Sequence, residues 1–246
     1  MTYIKTPKVF AVGVGPGFYD YITKNVQNII LDADIIIGYE FTLNTIRRLL
    51  KNKNVYTITM ENQEEIYNKI KNEIGNKKLV VPFTGDVNFS ESEVVDRLIQ
   101  IFGNITIIPG ISSIQVAASK AQIALDKTKV ITFHVSTPIE NKKIELLKGL
   151  IDGFNIIALP RPWATQPKKQ FMHSEFAFYL KNNGFDTSKM HVIVYESLTM
   201  DHEKIFNGKV SDLENKKFSD LSIIIIKQSK LESYYDISKV NIRQRH

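Results

Sequence analysis

The amino-acid sequence predicts an α/β protein of two domains, the first with a mostly parallel sheet and the second with a mixed sheet. Short apolar runs alternate with amphipathic segments from the start of the chain, which is the pattern of βαβ units. The 246 residues suffice for one large domain or two ordinary ones, and 43% hydrophobic and 24% charged residues are typical of globular proteins. Near the end of the chain, two predicted strands flank a turn segment instead of a helix, which indicates antiparallel pairing.

The first half of the chain is predicted to contain strands that are each followed by a helix. The strands are VFAVGVG, DIIIGY, NVYTIT, KLVVPF and NITIIPG. Thr23 precedes the first helix, in which Val26, Ile29, Ile30 and Ala33 share one face. The next helices are FTLNTIRRLLKN, ENQEEIYNKIKNEIG and ESEVVDRLIQIFG. This alternation predicts a parallel sheet with helices on both faces.

The second half is predicted to mix parallel and antiparallel strands. Its strands are KVITFHV, FNIIALP, HVIVYESL and LSIIIIK, and its helices are IENKKIELLKGLI and KKQFMHSEFAFYLKNNG. The last two strands flank Asn207-Gly208, a dipeptide typical of two-residue hairpin turns, so a hairpin is predicted there. We place the boundary after residue 122, which gives domains 1–122 and 123–246.

Composition and charge exclude several classes of function. The chain has no cysteine, and its five histidines show no ligand spacing, so no metal site is expected. No apolar run approaches the roughly 20 residues that cross a bilayer, and we expect a cytoplasmic protein without a membrane partner. The net charge is +6, but the basic residues are scattered except in the tail KVNIRQRH, so no nucleic-acid partner is expected. A polycarboxylate small molecule agrees with this charge.

The first predicted strand ends in a glycine loop that partly matches a dinucleotide-binding fingerprint. Gly13 and Gly15 occupy the first two glycine positions of G-x-G-x-x-G, but Phe18 occupies the third. Pro16 also removes one backbone N–H that a pyrophosphate could use. Glu40 follows the second strand, where a ribose-binding acid is expected. Dinucleotide binding therefore stays open as an alternative, as does a purely structural glycine turn.

Two further loops follow predicted strands of the first half. Thr84-Gly85-Asp86 comes directly after one strand, and its residue types are also typical of an ordinary turn. A Pro109-Gly110 turn precedes Ser112 and Ser113, which begin a helix. Helix-start N–H groups are unpaired and carry positive potential, so they suit a polar ligand. N-capping by either serine is compatible with such binding.

These stretches together resemble the tetrapyrrole methylases, a family that binds S-adenosylmethionine. The pattern G-x-G-P-G followed by Thr23 resembles the opening of the family, and FTGDVNF and IIPGISSIQVAAS resemble its next two motifs in order and spacing. Val87 stands where the family usually has proline, and Asn88 where glycine is common, so the loop shape can differ. The stretches LPRPW, VYESLT, EKIFNGKVSDL and FSDLS resemble the branch that methylates precorrin intermediates at C5, in its stand-alone form.

The resemblance implies a cofactor cleft between two α/β domains and a set of site residues. The implied cofactor contacts are Pro16, Thr84, Gly85, Asp86, Phe89, Ser112, Ser113, Leu159 and Leu221. Asp86 can instead cap its own turn. Tyr39 and Arg161 are the candidates for the acceptor, because Tyr39 can contact a ring and the Arg161 fork matches a carboxylate. Packing for Tyr39 and a surface position for Arg161 are the alternatives. No catalytic base is assigned.

The implied activity is S-adenosylmethionine-dependent C-methylation of a precorrin or cobalt-precorrin, a polycarboxylate tetrapyrrole, at C5 in cobalamin biosynthesis. The resemblance also implies a homodimer and allows contact with a separate decarboxylating C15-methyltransferase. Three alternatives remain open at this point. The chain could methylate another tetrapyrrole position or a modified protein histidine, it could be a non-catalytic relative that binds the cofactor, or it could bind a nicotinamide.

Overall fold

The computed structural model describes residues 8–89, 91–162 and 170–228, which form two compact units. Unit 1 contains the described residues up to Lys120 together with Ser197–Lys204. Unit 2 contains Ala121–Glu196 and the described residues from Ile205 onward. The predicted class of two α/β domains is confirmed. The boundary after residue 122 stays a prediction, and it did not anticipate that Ser197–Lys204 groups with the first unit.

Unit 1 is a parallel sheet with helices on both faces. Its strands are β1 (Lys8–Gly13), β2 (Ile35–Tyr39), β3 (Asn54–Ile58), β4 (Lys78–Phe83) and β5 (Thr106–Ile108), in the order β3-β2-β4-β1-β5. The described pairs are all parallel. The helices are α1 (Lys24–Leu31), α2 (Glu40–Thr45), α3 (Gln63–Glu73), α4 (Ser92–Phe102) and α5 (Ser113–Ala121).

The two faces of this sheet bury separate cores because strand side chains alternate between faces. Ala11 and Val81 pack on one face in a core shared with α3 and α4. Val12 and Val80 pack on the other face in a core shared with α1 and α2. The runs of buried residues in β1 and β4 follow from this coverage on both sides.

Strands β1 and β4 are neighbours whose connections leave in opposite directions. The chain runs from β1 toward β2 through α1, and from β4 toward β5 through α4. Right-handed crossovers require these two helices to lie on opposite faces, as they do. The connections after β1 and β4 therefore lead to helices on opposite faces from neighbouring points on the carboxyl edge of the sheet, which is where open α/β sheets bind ligands.

Unit 2 has a mixed sheet, as the sequence predicts. Its strands are β6 (Thr128–Thr132), β7 (Asn155–Leu159), β8 (His191–Glu196), β9 (Lys204–Lys209) and β10 (Ser222–Lys227), in the order β6-β7-β10-β8-β9. Strand β6 pairs with β7 in parallel, whereas β10 is antiparallel to both β7 and β8. Helices α6 (Glu140–Ile151) and α7 (His173–Asn182) complete the unit.

The hairpin predicted at Asn207-Gly208 is wrong. Strand β9 runs through both residues, and neither has the positive φ that a type I′ turn requires. The Asn207 amide oxygen instead lies 2.6 Å from Nε2 of His191 in β8. Positive φ occurs earlier, at Ser197 and Thr199 between β8 and β9.

Two sequence features fall outside the described residues: Trp163 of LPRPW and the basic tail KVNIRQRH. Among the helices of residues 8–89, 91–162 and 170–228, none is long and apolar enough to cross a bilayer.

His173, the first residue of α7, is a buried neutral histidine. It is 1% exposed, and its ring centroid lies 4.2 Å from that of Phe218. Its Nε2 has no hydrogen-bond partner within the described part of the chain. Burial lowers the pKa of His173 to about 3. A positive charge at this helix start would also oppose the helix dipole.

We predict that His173 makes unit 2 sensitive to acid. The pKa of His173 is about 3 in the folded protein and near 6.5 in the unfolded chain, so the unfolded chain takes up a proton first as pH falls. Burial of the neutral ring therefore costs no unfolding free energy from protonation above pH 6.5, and the unfolding free energy decreases as pH falls below that value. Between pH 7.5 and pH 5, the wild type should lose about 2 kcal/mol more unfolding free energy than His173→Phe. Urea unfolding at the two pH values measures this difference. Equal losses in the two proteins would contradict it.

Candidate cofactor and substrate site

The loops after β1 and β4 are joined by backbone hydrogen bonds at the carboxyl edge of the unit 1 sheet. Gly15 N–H donates to Gly85 O at 3.2 Å, and Gly85 N–H donates to Gly15 O at 2.7 Å. Val14 N–H also donates to Phe83 O at 2.8 Å. The two loops therefore continue the pairing of β1 with β4 beyond the strands, in an antiparallel bridge.

Three glycines, one from each of the strand ends β1, β4 and β5, pack backbone against backbone. A Cβ placed on Gly13 would lie 2.6 Å from both Gly110 N and Gly85 O, and a Cβ on Gly110 would lie 2.4 Å from Gly85 O. Real Cβ atoms do not approach backbone this closely. We call residues 14–17, 84–89 and 109–112 the switch-point loops. Only glycine at positions 13 and 110 allows them to meet, while Gly85 contributes its backbone oxygen to both contacts.

Asp86 ties the second switch-point loop to the third. One carboxylate oxygen accepts from Gly110 N–H at 2.8 Å, and the other accepts from Asn88 N–H at 2.8 Å. The sequence left two roles open for Asp86, which were contact with the cofactor and capping of its own turn. The structure contains the capping hydrogen bond. Val87, which replaces the usual proline of the family, is 1% exposed and packs in the core beside α4.

The third switch-point loop leads into α5 through a capping box. Ile114 N–H donates to the Ser112 hydroxyl at 3.3 Å, and Ser112 N–H donates to the Gln115 side-chain oxygen at 2.9 Å. Ser113 is the first helical residue. A Cβ on Gly85 would have Ser113 N, 3.9 Å away, as its nearest neighbour. The start of α5 therefore lies within van der Waals distance of this position in the second loop.

The other candidates of unit 1 support this arrangement. Pro16 is buried in the first loop. The Thr84 hydroxyl lies 2.9 Å from that of Thr42 in α2, so it links the second loop to a neighbouring helix. Phe89 N–H donates to Asp86 O at 3.2 Å and closes the turn. The structure therefore brings all seven unit 1 residues predicted for the cofactor to one edge of the sheet.

Tyr39 ends β2, at the same edge as the switch-point loops. Its hydroxyl donates to the Gln63 side-chain oxygen at 3.0 Å and lies 3.3 Å from the Met60 sulfur. Burial raises the pKa of Tyr39, and the nearby Glu91 carboxylate adds to the rise. The phenol is therefore neutral, and its O–H already donates to Gln63. The half-buried ring is still available to contact a ligand.

In unit 2, Leu159 and Leu221 lie at one edge of the sheet. Leu159 ends β7 and Leu221 precedes β10, and these strands are antiparallel, with Ala158 opposite Ile224. Leu221 is 49% exposed.

Arg161 lies two residues beyond β7 and is not a surface arginine. It is 3% exposed, its backbone exchanges two hydrogen bonds with Phe171, and Nη2 donates to Ser136 O at 3.3 Å. Its charge is felt by His134, whose pKa is lowered by desolvation and further by Arg161, against the opposing effect of Asp220.

Sequence reasoning missed two groups at these edges. The sequence pattern gives His134 no role, although His134 follows β6 as Arg161 follows β7, and parallel strands bring both residues to one edge. Glu91 was not considered. It lies directly before α4, at the end of the connection from β4 that carries Asp86, and burial raises its pKa to about 7. A glutamate before a helix is too common a pattern to indicate burial.

Glycine loops at the switch point of a parallel sheet define unit 1 as an α/β domain for a small polar ligand, here followed by a mixed-sheet unit. Residues 8–214 match the family model described as Tetrapyrrole (Corrin/Porphyrin) Methylases. The chain belongs to the tetrapyrrole methylase family.

Individual relatives are consistent with this membership. The chain is 31% identical over 221 residues to the probable cobalt-precorrin-7 C(5)-methyltransferase of Methanocaldococcus jannaschii, covering 88% of this chain and 96% of the relative. The fold matches the crystal structure of the methyltransferase CobJ with a TM-score of 0.73 at 16% identity, covering 91% of this chain and 95% of CobJ. It also matches the crystal structure of the precorrin-6Y methylase (cbiE) of Archaeoglobus fulgidus with a TM-score of 0.62 at 23% identity, covering 91% of this chain and 99% of that methylase.

We predict that Gly110→Ala lowers the unfolding free energy more than the same substitution at a glycine with positive φ and no close neighbour. The new Cβ would meet Gly85 O and Gly13 backbone atoms within 2.5 Å, so the switch-point loops must separate, at a cost of about 3 kcal/mol. Gly184→Ala is the control, because Gly184 has φ +86 with nothing within 4 Å and should cost about 1 kcal/mol. Urea unfolding measures both costs. Equal costs, or a larger one for Gly184→Ala, would show that the loops are not in this contact.

Proposed function

We propose that this protein is an S-adenosylmethionine-dependent methyltransferase that methylates C5 of a precorrin or cobalt-precorrin in cobalamin biosynthesis. Family membership supports the methyltransferase class, and the names of the M. jannaschii and A. fulgidus relatives support this branch. The observation that carries the cofactor proposal is the junction of three loops that are far apart in sequence. They meet through Gly15–Gly85 pairing and the Asp86–Gly110 hydrogen bond.

The residues at this junction fit S-adenosylmethionine, which supplies an electrophilic methyl group when bound. Gly85 lies beside the start of α5, since Ser113 N is 3.9 Å from a Cβ placed on Gly85, and Ser113 is the first residue of that helix. Helix-start N–H groups and hydroxyls suit the carboxylate and the ribose hydroxyls of this ligand. In this proposal Pro16, Gly85, Ser112 and Ser113 bind the cofactor.

Asp86 keeps the loops together from outside the reacting centre, because both of its oxygens accept backbone N–H groups. Thr84 and Phe89 complete the second loop, and Leu159 and Leu221 are proposed to contact the adenine. The exposed Leu221 side chain would lose water contact on binding, which favours that role.

For the methyl transfer itself, the main task of the protein is to orient the methyl donor and the acceptor, and acid–base chemistry is secondary. Loops joined by backbone hydrogen bonds can hold a donor in line with an acceptor at roughly 3–3.5 Å. Arg161 is proposed to bind one carboxylate of the acceptor, since it presents a permanent charge beside His134. The net charge of +6 agrees with a polyanionic acceptor.

The structure weakens two of the alternatives. The Val87 loop keeps the Asp86–Gly110 bond and buries Val87, so its altered sequence does not indicate a degenerate site. For dinucleotide binding, a helix should begin directly after the glycines, but a 3₁₀ segment at Tyr19–Tyr21 intervenes and α1 begins only at Lys24. The family resemblance also supports a homodimer, a contact with a separate decarboxylating C15-methyltransferase and a cytoplasmic location, which stay predictions.

Calorimetry tests the cofactor half of this proposal. We expect S-adenosylmethionine and its demethylated product, S-adenosylhomocysteine, each to bind with micromolar affinity, because backbone hydrogen bonds join the switch-point loops to one another. NAD(H) serves as the control ligand and should give no heat of binding. If neither sulfur nucleoside binds at millimolar concentration, the cofactor proposal fails.

Mass spectrometry tests the acceptor half with the same protein. Addition of one methyl group to a precorrin or cobalt-precorrin, located at C5 by NMR, is the expected result. Methylation of another ring position or of a protein histidine would keep the cofactor and change the acceptor.

A further inference from the structure

The connection between β8 and β9 packs against the end of the first switch-point loop. This connection, Ser197–Lys204, groups with unit 1, and we call it the strap. Phe18 directly follows the loop, and its N–H donates to the Thr199 hydroxyl at 3.3 Å. A Cβ placed on Gly17 would lie 3.2 Å from Cγ of Met200 and 3.6 Å from Oγ1 of Thr199. The conformation of the strap therefore bears directly on the shape of this loop.

Two residues of the strap have a backbone conformation that L-amino acids rarely adopt. The φ angle is +49° at Ser197 and +72° at Thr199. Thr199 is β-branched, and for such residues a positive φ is unfavourable because the side chain crowds the backbone. Backbone strain of this kind persists only where surrounding contacts fix it, and it is concentrated at functional sites. The contacts that fix Thr199 are therefore candidates for a functional role.

The Glu203 carboxylate fixes the backbone of Thr199. Its Oε2 accepts from Thr199 N–H at 2.7 Å, and its Oε1 accepts from Lys120 Nζ at 2.6 Å. A hydrogen bond from a backbone N–H to a carboxylate is stronger than one between neutral groups. The Glu203 side chain is 14% exposed, so water and salt screen it little. Both oxygens are bonded to protein groups, which makes Glu203 a residue that shapes the strap.

Lys120 connects this carboxylate to the helix that follows the third switch-point loop. It lies in the last turn of α5, which begins at Ser113. Glu203 therefore joins the strap to α5, while the Thr199 hydroxyl joins the strap to the residue after the first loop. Asp86 joins the second loop to the third. The two carboxylates thus hold different parts of the same three-loop junction.

We propose that Glu203 is a positioning residue for the cofactor, an inference that rests on the methyltransferase function proposed above. By bonding the N–H of Thr199, it keeps the Thr199 hydroxyl at the Phe18 N–H and holds the first switch-point loop in the shape that binds the sulfonium nucleoside. Glu203 acts through Thr199 and transfers no proton. Its loss therefore weakens cofactor binding in the ground state and in the transition state alike, which raises KM and leaves kcat nearly unchanged.

The test compares Glu203→Ala with the conservative variant Glu203→Gln. For Glu203→Ala we expect the Kd for S-adenosylhomocysteine, measured by calorimetry, to rise about tenfold. The KM for S-adenosylmethionine should rise by a similar factor, while kcat stays within about threefold of the wild type. Glu203→Gln should stay within about twofold of the wild-type Kd, because its amide oxygen still accepts from Thr199 N–H. A Glu203→Gln variant as weak as Glu203→Ala would overturn the proposal, since the charge and not this hydrogen bond would then matter.

Two other acidic residues provide matched controls. Asp201 is exposed and lines the same open cavity as Glu203, and its side chain makes no hydrogen bond within the described part of the chain. The Glu214 side chain in unit 2 is 15% exposed and pairs with Lys181 at 3.1 Å, so it matches Glu203 in burial and in its lysine partner. Asp201→Ala and Glu214→Ala should each keep the wild-type Kd. A rise as large as that for Glu203→Ala would assign the effect to net charge or to stability and overturn the proposal.

Substitutions of Thr199 keep the proposal testable if Glu203→Ala does not fold. Thr199→Val retains the shape of the side chain and removes the hydroxyl that accepts from Phe18, so the Kd for S-adenosylhomocysteine should rise about fivefold. Thr199→Ser retains the hydroxyl and should stay within about twofold of the wild type. A wild-type Kd for Thr199→Val would overturn the proposal, because the strap would then not act on the loop through this hydroxyl.

Hydrogen exchange without any ligand separates a positioning role from a structural one. Amides of residues 14–21 should exchange faster in Glu203→Ala than in the wild type, with peptides from α6 as the internal reference. Equal exchange combined with a lower Tm would identify Glu203 as a structural residue and overturn the proposal. A wild type that binds S-adenosylhomocysteine no better than Glu203→Ala does would overturn only this proposal. A wild type that binds neither sulfur nucleoside would overturn the proposed cofactor and this proposal together.

Discussion

The contact among the backbones of Gly13, Gly85 and Gly110 is the constraint on which the rest of unit 1 depends. These residues end or follow β1, β4 and β5, and the distances leave no room for a side chain on Gly13 or Gly110. The parallel order brings the strand ends together, and the glycines let the loops touch. Asp86 then fixes the contact by accepting from Gly110. These backbone contacts hold the loops of the candidate site to one another.

Three buried polar groups show how different environments produce different roles. His173 is neutral, stacked on Phe218 and remote in sequence from the glycine motifs, so its burial bears on stability. Arg161 is 3% exposed and follows a strand end at the same edge as His134, and its guanidinium is proposed to bind the anionic acceptor. Glu91 is half-buried after a switch-point loop, and burial alone raises the pKa of its carboxyl toward neutrality. Arg161 follows the end of β7, whereas His173 begins α7, so position as well as burial distinguishes the candidate from the structural residue.

The sequence predicted the order of strands and helices because the elements of unit 1 have clear apolar periodicity. It also predicted glycine loops after β1, β4 and β5, and the close backbone approach explains why glycine stands at positions 13 and 110. It did not predict the strand through Asn207-Gly208, where pairing of β9 with β8 overrides local turn preference. Nor could it show the burial of Arg161 or of Glu91. Both depend on packing between elements that are distant along the chain.

Hydrogen exchange of the switch-point loops tests the central claim most directly. The claim is that the switch-point loops (residues 14–17, 84–89 and 109–112) and Ser113 at the start of α5 together bind one sulfonium nucleoside. Exchange should be measured by mass spectrometry with and without S-adenosylhomocysteine, and peptides from α6 should serve as the internal reference. The account predicts that amides of all three loops, including the Ser113 N–H at the start of α5, become slower to exchange together. Slowing of one loop alone, or slowing confined to segments away from these loops, would contradict it.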